Sequence, residues 1–587
     1  MRLIKTAIDI VDLDKNQDCI VLGDWCLKGL EDVLGSDNKY NKVPYHWDNR
    51  EKFNQDYYYL SNLYERSLKE LSATLNVMHN LNADIKYWRI IIGPWLRFFI
   101  DSVFDRYEII RTATKNKEYL EIRTFSYNLE DWVPKDFQEF YDDFRDDEWN
   151  EIIFSECLRS LEIDSLTNSK NLLRLPKGES KSLIKKIISP VLAIYEYILP
   201  KLFNKIIVVK AYAPIKVILK LHLKLKQFPY FNEIKVDDIE IDFKKRERFS
   251  LSNPKNQFEF FLSNLLGKHI PKVYVEGYRD LRQKTLKRYP KDPKLIFTSN
   301  AYQADEGFKF LAAEKTARKS KLIIGQHGGH FGIGLHNQTE DHQLKISDHF
   351  ISWGWKRNGY SNIISLPSIK LSSNNIVNNN SRKFLFIAPS FPRYFFCHYS
   401  MPVGGQFLEC VKSQINFIKK LNKRNFKNTY IRLDASGDEF GWNMHEILRI
   451  NGLQGKITNA EKPLMGVLKN YNLCVCNNNA TVFLETLALN FPTIIYLDSR
   501  FYEIRPESIE PFNVLKECGI LHNNSDSAAA FLNDISDNIP KWWNSDEVKN
   551  ARKLFTKSFT NSSSIEISLK SMSSFLEKNI LSDHGKI

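Results

Sequence analysis

The sequence predicts an α/β protein with two Rossmann-like parallel-sheet units, the first carrying a large helical insertion. Three features predict it. From about residue 270 onward, short near-continuous apolar runs alternate with helical stretches, the pattern of strands buried on both faces of a parallel sheet. That rhythm breaks once, at the polar stretch 372–382 (SSNNIVNNNSR), and then resumes. Between about 50 and 226 the spacing of apolar residues is helical instead. The expected organisation is a first unit at 1–371 with its insertion at about 50–226, a linker at 372–382, and a second unit at 383–587 ending in helices.

The first strand is expected at Cys19–Gly23, a β-branched apolar run closed by glycine and followed by Asp24, Trp25 and Cys26. Leu60, Leu63, Leu68, Leu71 and Leu75 recur between polar residues and predict an amphipathic helix over Tyr57–Leu75. Trp88–Phe104 is richer in apolar groups and is expected at the centre of the helical block. The 182–226 region alternates lysine with aliphatic residues. It reads as a helix or strand whose lysine stems cover a core edge, with a membrane-surface role as the alternative. Further strands are expected at Lys272–Glu276, Leu295–Ser299, Leu322–Gln326 and His349–Trp353. Beyond the polar stretch they are expected at Phe384–Ala388, Thr429–Leu433, Leu473–Cys476 and Thr493–Leu497.

Composition narrows the function classes. With 43% hydrophobic and 26% charged residues the 587-residue chain is globular in make-up. No apolar run approaches the ~18 residues of a membrane span, and acids stand where a signal peptide needs an apolar core. A cytoplasmic protein is expected. The eight cysteines form no CxxC pair, which points to reduced, packed thiols, with Cys474 and Cys476 on one strand face. Lys and Arg total 83 against 70 acids, a net +13 that suits anionic partners such as nucleotide-activated substrates or an anionic membrane surface. The charge is dispersed and no nucleic-acid-binding motif is present, so no nucleic acid is expected.

Two constellations carry chemistry. Gln326-His327-Gly328-Gly329-His330-Phe331-Gly332-Ile333-Gly334 follows a predicted strand, where parallel sheets bind ligands beyond their carboxyl ends. Its glycines bring backbone N–H groups close to a ligand, and His327 is a candidate acid or base. The alternative is a glycine-rich turn with partly buried histidines. The spacing His336–Glu340–His342 is not that of a metal-binding motif, and no metal is expected.

The second constellation, Asn477-Asn478-Asn479-Ala480-Thr481, lies between a predicted strand and a predicted helix containing Glu485. Strand, short polar loop and helix start form an anion site, because unpaired N–H groups and the positive end of the helix dipole face the ligand. Asn478, Asn479 and Thr481 add side-chain donors, and Glu485, one turn on, is placed for sugar hydroxyls; the alternative is simple helix capping by asparagine. Ser390, Arg393 and Arg432, near other strand ends, are further candidates for phosphate contact, and Asp24 and Glu340 for proton transfer. Trp25, Trp47 and Trp95 are candidates for an acceptor-side lining, with core packing as the alternative.

Six separated blocks carry a resemblance. They are Leu22-Gly23-Asp24-Trp25-Cys26; His46-Trp47-Asp48 with Arg50; Tyr87-Trp88-Arg89-Ile90 through Gly93-Pro94-Trp95; Gln326-His327-Gly328-Gly329; Ser352-Trp353-Gly354-Trp355; and Thr481 through Pro492. In these the sequence resembles a family of transferases of surface carbohydrate biosynthesis and, in layout, the GT-B glycosyltransferases. Asn479–Glu485 is also similar to the donor motif of lipid A Kdo transferases, but Asn477 and Asn478 replace two glycines and Val482 replaces an asparagine.

The resemblance implies two Rossmann-like domains facing a cleft. It implies sugar transfer from a nucleotide-activated donor, such as a CMP-linked ulosonic acid (Kdo), to a surface polysaccharide, lipopolysaccharide or other glycolipid. His327, Asp24 or Glu340 would act as base, and Gln326, Gly328, Gly329, Ser390, Arg393, Arg432, Asn478, Asn479, Thr481 and Glu485 would hold the donor. No cofactor beyond that substrate is implied, and the setting would be the cytoplasm or the inner face of its membrane. A teichoic-acid-type polyol-phosphate transferase and a non-catalytic binding protein of glycan assembly are the alternatives.

Overall fold

The computed structural model describes residues 1–581 apart from 11–12, 14–16, 29–39, 116–120, 175–182, 372–380, 435–439 and 459–462. Most of the expected linker 372–382 therefore lies outside the described residues. Internal packing divides the chain into two compact units. One comprises Met1–Lys210, Lys226–Leu322 and Tyr394–His398; the other Ala211–Leu225, Ile323–Arg393 and Tyr399–Ile587.

The first unit holds a five-stranded sheet of β1 (Arg2–Ile4), β2 (Cys19–Val21), β3 (Asn41–Lys42), β4 (Glu121–Ser126) and β5 (Leu166–Asn171), in the order β3-β2-β1-β4-β5. Each ladder in it is parallel. A further parallel pair joins β6 (Ile206–Val209) to β7 (Leu295–Thr298).

Two 30-residue helices dominate the unit: α1 (Arg50–His79) and α2 (Ile85–Thr114). The Asn49 side chain caps α1 by accepting from the N–H groups of Glu51 and Lys52, and Asp84 caps α2 through Tyr87. Nearly the whole of α2 is buried, as its apolar composition requires.

Two expectations need correction here. The stretch 50–226 is not wholly helical, because β4, β5 and β6 lie within it and the first two complete the sheet edge. Lys272–Glu276 is not a strand. Pro271 starts a helical turn over Lys272–Val275, and the Lys272 and Val273 N–H groups donate to the Pro134 and Lys135 carbonyls. Two β-branched valines there signalled a strand that the proline overrode.

The second unit contains helix α3 (Ile215–Leu225) and the parallel strands β8 (Lys321–Gly325, from Ile323 onward in this unit), β9 (His349–Ser352) and β10 (Ile363–Ser365), with α4 (Gln338–Ile346) between β8 and β9. It also contains a six-stranded sheet. Its strands are β11 (Phe384–Ala388), β12 (Thr429–Leu433), β13 (Ile457–Thr458), β14 (Leu473–Cys476), β15 (Thr493–Tyr496) and β16 (Leu521–His522), in the order β13-β12-β11-β14-β15-β16.

All of its ladders are parallel. Helix α5 (Thr481–Ala488) follows β14, and α6 (Ile565–Leu581) lies near the end of the chain. The central strands β11 and β14 are buried along their length, and Phe386, Phe417, Ile431, Val475, Ile494 and Tyr496 pack in the core around them. The expected α/β class with parallel sheets is the class found.

Candidate functional site

The strand order of the six-stranded sheet reverses at one point. The chain builds outward from β11 through β12 to β13, then crosses back to β14 and builds the other way. The connections after β11 and β14 therefore leave in opposite directions, and such a reversal is where open parallel sheets bind ligands beyond the carboxyl ends of their strands. Ile387 pairs with Cys476 across that boundary, so Ser390 and Asn479 each stand three residues beyond it.

Both are at least nine-tenths buried, and neither the Ser390 hydroxyl nor the Asn479 amide nitrogen has a hydrogen-bond partner among the described residues. Native proteins rarely leave buried polar atoms unsatisfied, and a bound group that supplies the missing bonds is one explanation. Beside them α5 begins at Ala480 without any side-chain cap, so the asparagines do not cap the helix as the alternative reading held. Asn477 is instead tied into the structure, with its amide donating to the Cys410 sulfur and its carbonyl accepting from the Tyr502 hydroxyl. Asn478 accepts from the Ala480 N–H at 3.4 Å.

The glycine-rich loop after β8 meets the same helix start. The Gly329 N–H donates to the Thr481 hydroxyl at 2.9 Å. A Cβ on Gly329 would lie 2.3 Å from the Ala480 carbonyl carbon and oxygen, and Gly328 has φ +95°. Only glycine permits so close a backbone approach and that dihedral. His327 is thus carried two residues from a direct contact with Thr481, its ring centroid 5.1 Å from Phe331 and 6.3 Å from Tyr212.

The loop is held from behind. Gln326, expected to touch the donor, is instead committed internally: its carbonyl oxygen accepts from the Trp353 N–H and the Trp355 indole, and its amide donates to the Gly328 carbonyl. Glu340 is fully buried. Its carboxylate accepts from Arg505 at 2.8 Å, Arg357 at 3.1 Å and the Gly332 N–H at 2.7 Å, while Arg505 also donates to the Gly334 carbonyl. Expected as a base, Glu340 is neutralised by two guanidinium groups and braces the loop. His330 is buried, and its desolvation lowers its pKa to about 4.

Glu485 pairs with Lys370 at 3.1 Å, and the Lys370 ammonium lies 5.3 Å from the centre of the Tyr212 ring. The Tyr212 hydroxyl bonds the Thr481 side chain, and burial raises its pKa, with Lys370 and then Glu485 acting in opposite directions. Sequence reasoning missed Tyr212 and Lys370. The available signal was position, because each lies a few residues beyond a strand's carboxyl end.

Arg393 is buried, donates its N–H to the Phe440 carbonyl and runs against Gly441, whereas Arg432 is half-buried on β12. Asp24 belongs to the first unit and pairs with Lys42 at 3.0 Å. Trp25, Trp47 and Trp95 are core residues with at most 2% exposure, so packing and not an accessible lining explains them. All eight cysteines are free thiols, and the Cys474 and Cys476 sulfurs lie 3.8 Å apart. Among the described residues no group of three or more His, Cys, Asp or Glu gathers as metal ligands would, and no helix is long and apolar enough to cross a membrane.

A parallel sheet whose strand order reverses between β11 and β14, with an uncapped helix start and unsatisfied buried polar atoms at that point, defines a doubly wound α/β protein. More particularly, the model of the LIC12162 family transferase matches residues 1–573, so the chain belongs to that transferase family. No curated protein matches the chain.

Among solved structures it is similar to WaaG, a glycosyltransferase involved in lipopolysaccharide biosynthesis (10% identity, 63% of this chain and 99% of that one, TM-score 0.29). Others are Acinetobacter baumannii MurG (9%, 53% and 81%, 0.26) and the Streptomyces sp. SF2575 glycosyltransferase SsfS6 (9%, 78% and 100%, 0.27). At these scores the likeness assigns neither site nor substrate.

Proposed function

We propose that this transferase is a GT-B-type glycosyltransferase that moves a sugar from a nucleotide-activated donor to a cell-surface glycan or glycolipid. The observation that carries the reading is the β11/β14 reversal point, where the buried Ser390 hydroxyl and Asn479 amide nitrogen lack partners and α5 starts without a side-chain cap, each a few residues beyond the paired strand ends. A donor phosphate on that helix start completes the missing hydrogen bonds and meets the positive end of the dipole. Glu485, held by Lys370, accepts from sugar or ribose hydroxyls.

In the reaction the acceptor hydroxyl forms a bond to the donor's anomeric carbon as the bond from that carbon to the phosphate oxygen breaks. His327 takes the hydroxyl proton, and the charge left on the phosphate is stabilised by the N–H groups of the helix start and by arginine. The donor's base is read from a thermal-shift screen of CMP, CDP, UDP, GDP and dTDP, because a ligand that binds the folded state raises its melting temperature; preference for CMP would favour a CMP-linked ulosonic acid as donor. Sugar-transfer assays then test the chemistry. Turnover undiminished in both His327→Ala and Glu485→Ala rules out the assignment.

A further inference from the structure

Helix α3 carries more apolar surface than its packing uses. With about 100° between successive residues, Leu221, His222 and Leu225 occupy the buried side. Ile215, Leu219 and Leu223 form the adjoining strip, yet they are 60%, 39% and 77% exposed. Lys216, Lys220 and Lys224 form the next strip, repeating at the same four-residue interval, and are exposed as well.

Next to this helix, α6 presents Ile567, 55% exposed, and the exposed Lys570. The two helices line a groove of about 570 Å³ with Lys220, Leu223, Lys224, Ile567, Leu569 and Lys570, and Glu566 is its single acid. An apolar strip in water is unfavourable, and a row of lysines along its edge is what a helix lying in a bilayer interface displays.

We infer that the α3–α6 face of the second unit docks on an anionic lipid bilayer. Ile215, Leu219, Leu223 and Ile567 enter the headgroup and acyl boundary. Lys216, Lys220, Lys224 and Lys570 meet the negative headgroups, a match of charge that a neutral bilayer or a second copy of this basic face does not offer. The inference rests on the surface alone and does not depend on the sugar-transfer reading.

The test is flotation of the full chain with vesicles of phosphatidylcholine alone and of phosphatidylcholine with phosphatidylglycerol, over a range of sodium chloride. The expected result is binding to the anionic vesicles only, weakening with salt. A Lys216→Glu, Lys220→Glu, Lys224→Glu variant binds at least about tenfold more weakly, and Leu219→Ser with Leu223→Ser also lowers binding. Because these side chains are exposed, melting temperatures of the variants stay near that of the parent.

No binding to either vesicle, or binding unchanged in both variants, overturns the inference. So does concentration-dependent self-association that the serine variant abolishes, since the face then covers a second copy. Vesicle binding is read without any donor, so its failure leaves the transfer reaction untouched.

Discussion

Gly329 and Thr481 are 152 residues apart in sequence and share a hydrogen bond of 2.9 Å from backbone N–H to hydroxyl. The bond fastens the histidine-bearing loop to the first residue of α5, so the proposed base and the proposed phosphate site are joined by a direct contact. Gly329→Ala tests it. The added methyl would lie 2.3 Å from the Ala480 carbonyl, and relieving that clash separates loop from helix at about 1–3 kcal/mol. Thermal melts are expected to fall, and nucleotide affinity measured by calorimetry is expected to fall with them.

The Glu340–Arg505 pair, both members at least 97% buried, braces the same loop. Without Arg505 the buried Glu340 carboxylate keeps Arg357 as its one remaining guanidinium, and the Gly334 carbonyl loses a donor. Arg505→Met is expected to destabilise by about 3 kcal/mol, read from denaturant unfolding. Glu340→Gln, which keeps the shape and a hydrogen-bonding oxygen, costs less and leaves detectable transfer activity, because Glu340 braces the loop and does not carry the proton.

His330 sets a pH dependence of stability. Burial lowers its pKa to about 4, below the ordinary 6.5, so the unfolded chain binds this proton more readily. Its contribution is full above pH 6.5 and is lost as pH falls from 6.5 toward 4, on the order of 3 kcal/mol at most. His79 and His269 are lowered to about 4, likewise by burial, and add to the same trend. Melting temperatures of the parent are expected to fall through this window, and His330→Gln is expected to fall less steeply.

Lys370 supports Glu485 from a partly exposed position, its side chain 28% accessible. An ion pair of this exposure contributes about 1 kcal/mol or less to folding. Lys370→Met is therefore expected to melt nearly as the parent does. Its affinity for a nucleoside diphosphate, by calorimetry, is expected to drop about fivefold through the loss of one charge-assisted contact.

Much of this was legible in the sequence. Strands such as Phe384–Ala388 and Leu473–Cys476 are unbroken apolar runs, and burial on both faces of a parallel sheet leaves just that trace. The glycine loop and the 477–485 segment were each legible as loops at strand carboxyl ends, whereas their meeting was implied only by the resemblance. Glu121–Ser126 was missed because only six residues of alternating burial stand inside a long helical stretch. Gln326 and Glu340 were placed at the ligand because polar residues in such loops usually are, but their partners, Trp355 and Arg505, come from distant sequence. Tyr212 and Lys370 gather around Glu485 only once the chain has folded.

The central claim, that a phosphate binds at the reversal point between β11 and β14, is tested most directly by thermal shift of the parent and of Ser390→Ala and Asn479→Ala, with and without the preferred nucleotide. Both side chains carry buried atoms without partners, so truncating them is predicted to leave the unliganded melting temperature unchanged or slightly higher, while the nucleotide-induced shift shrinks as affinity falls about tenfold. Variants that melt lower without ligand yet keep the full nucleotide shift would contradict the account.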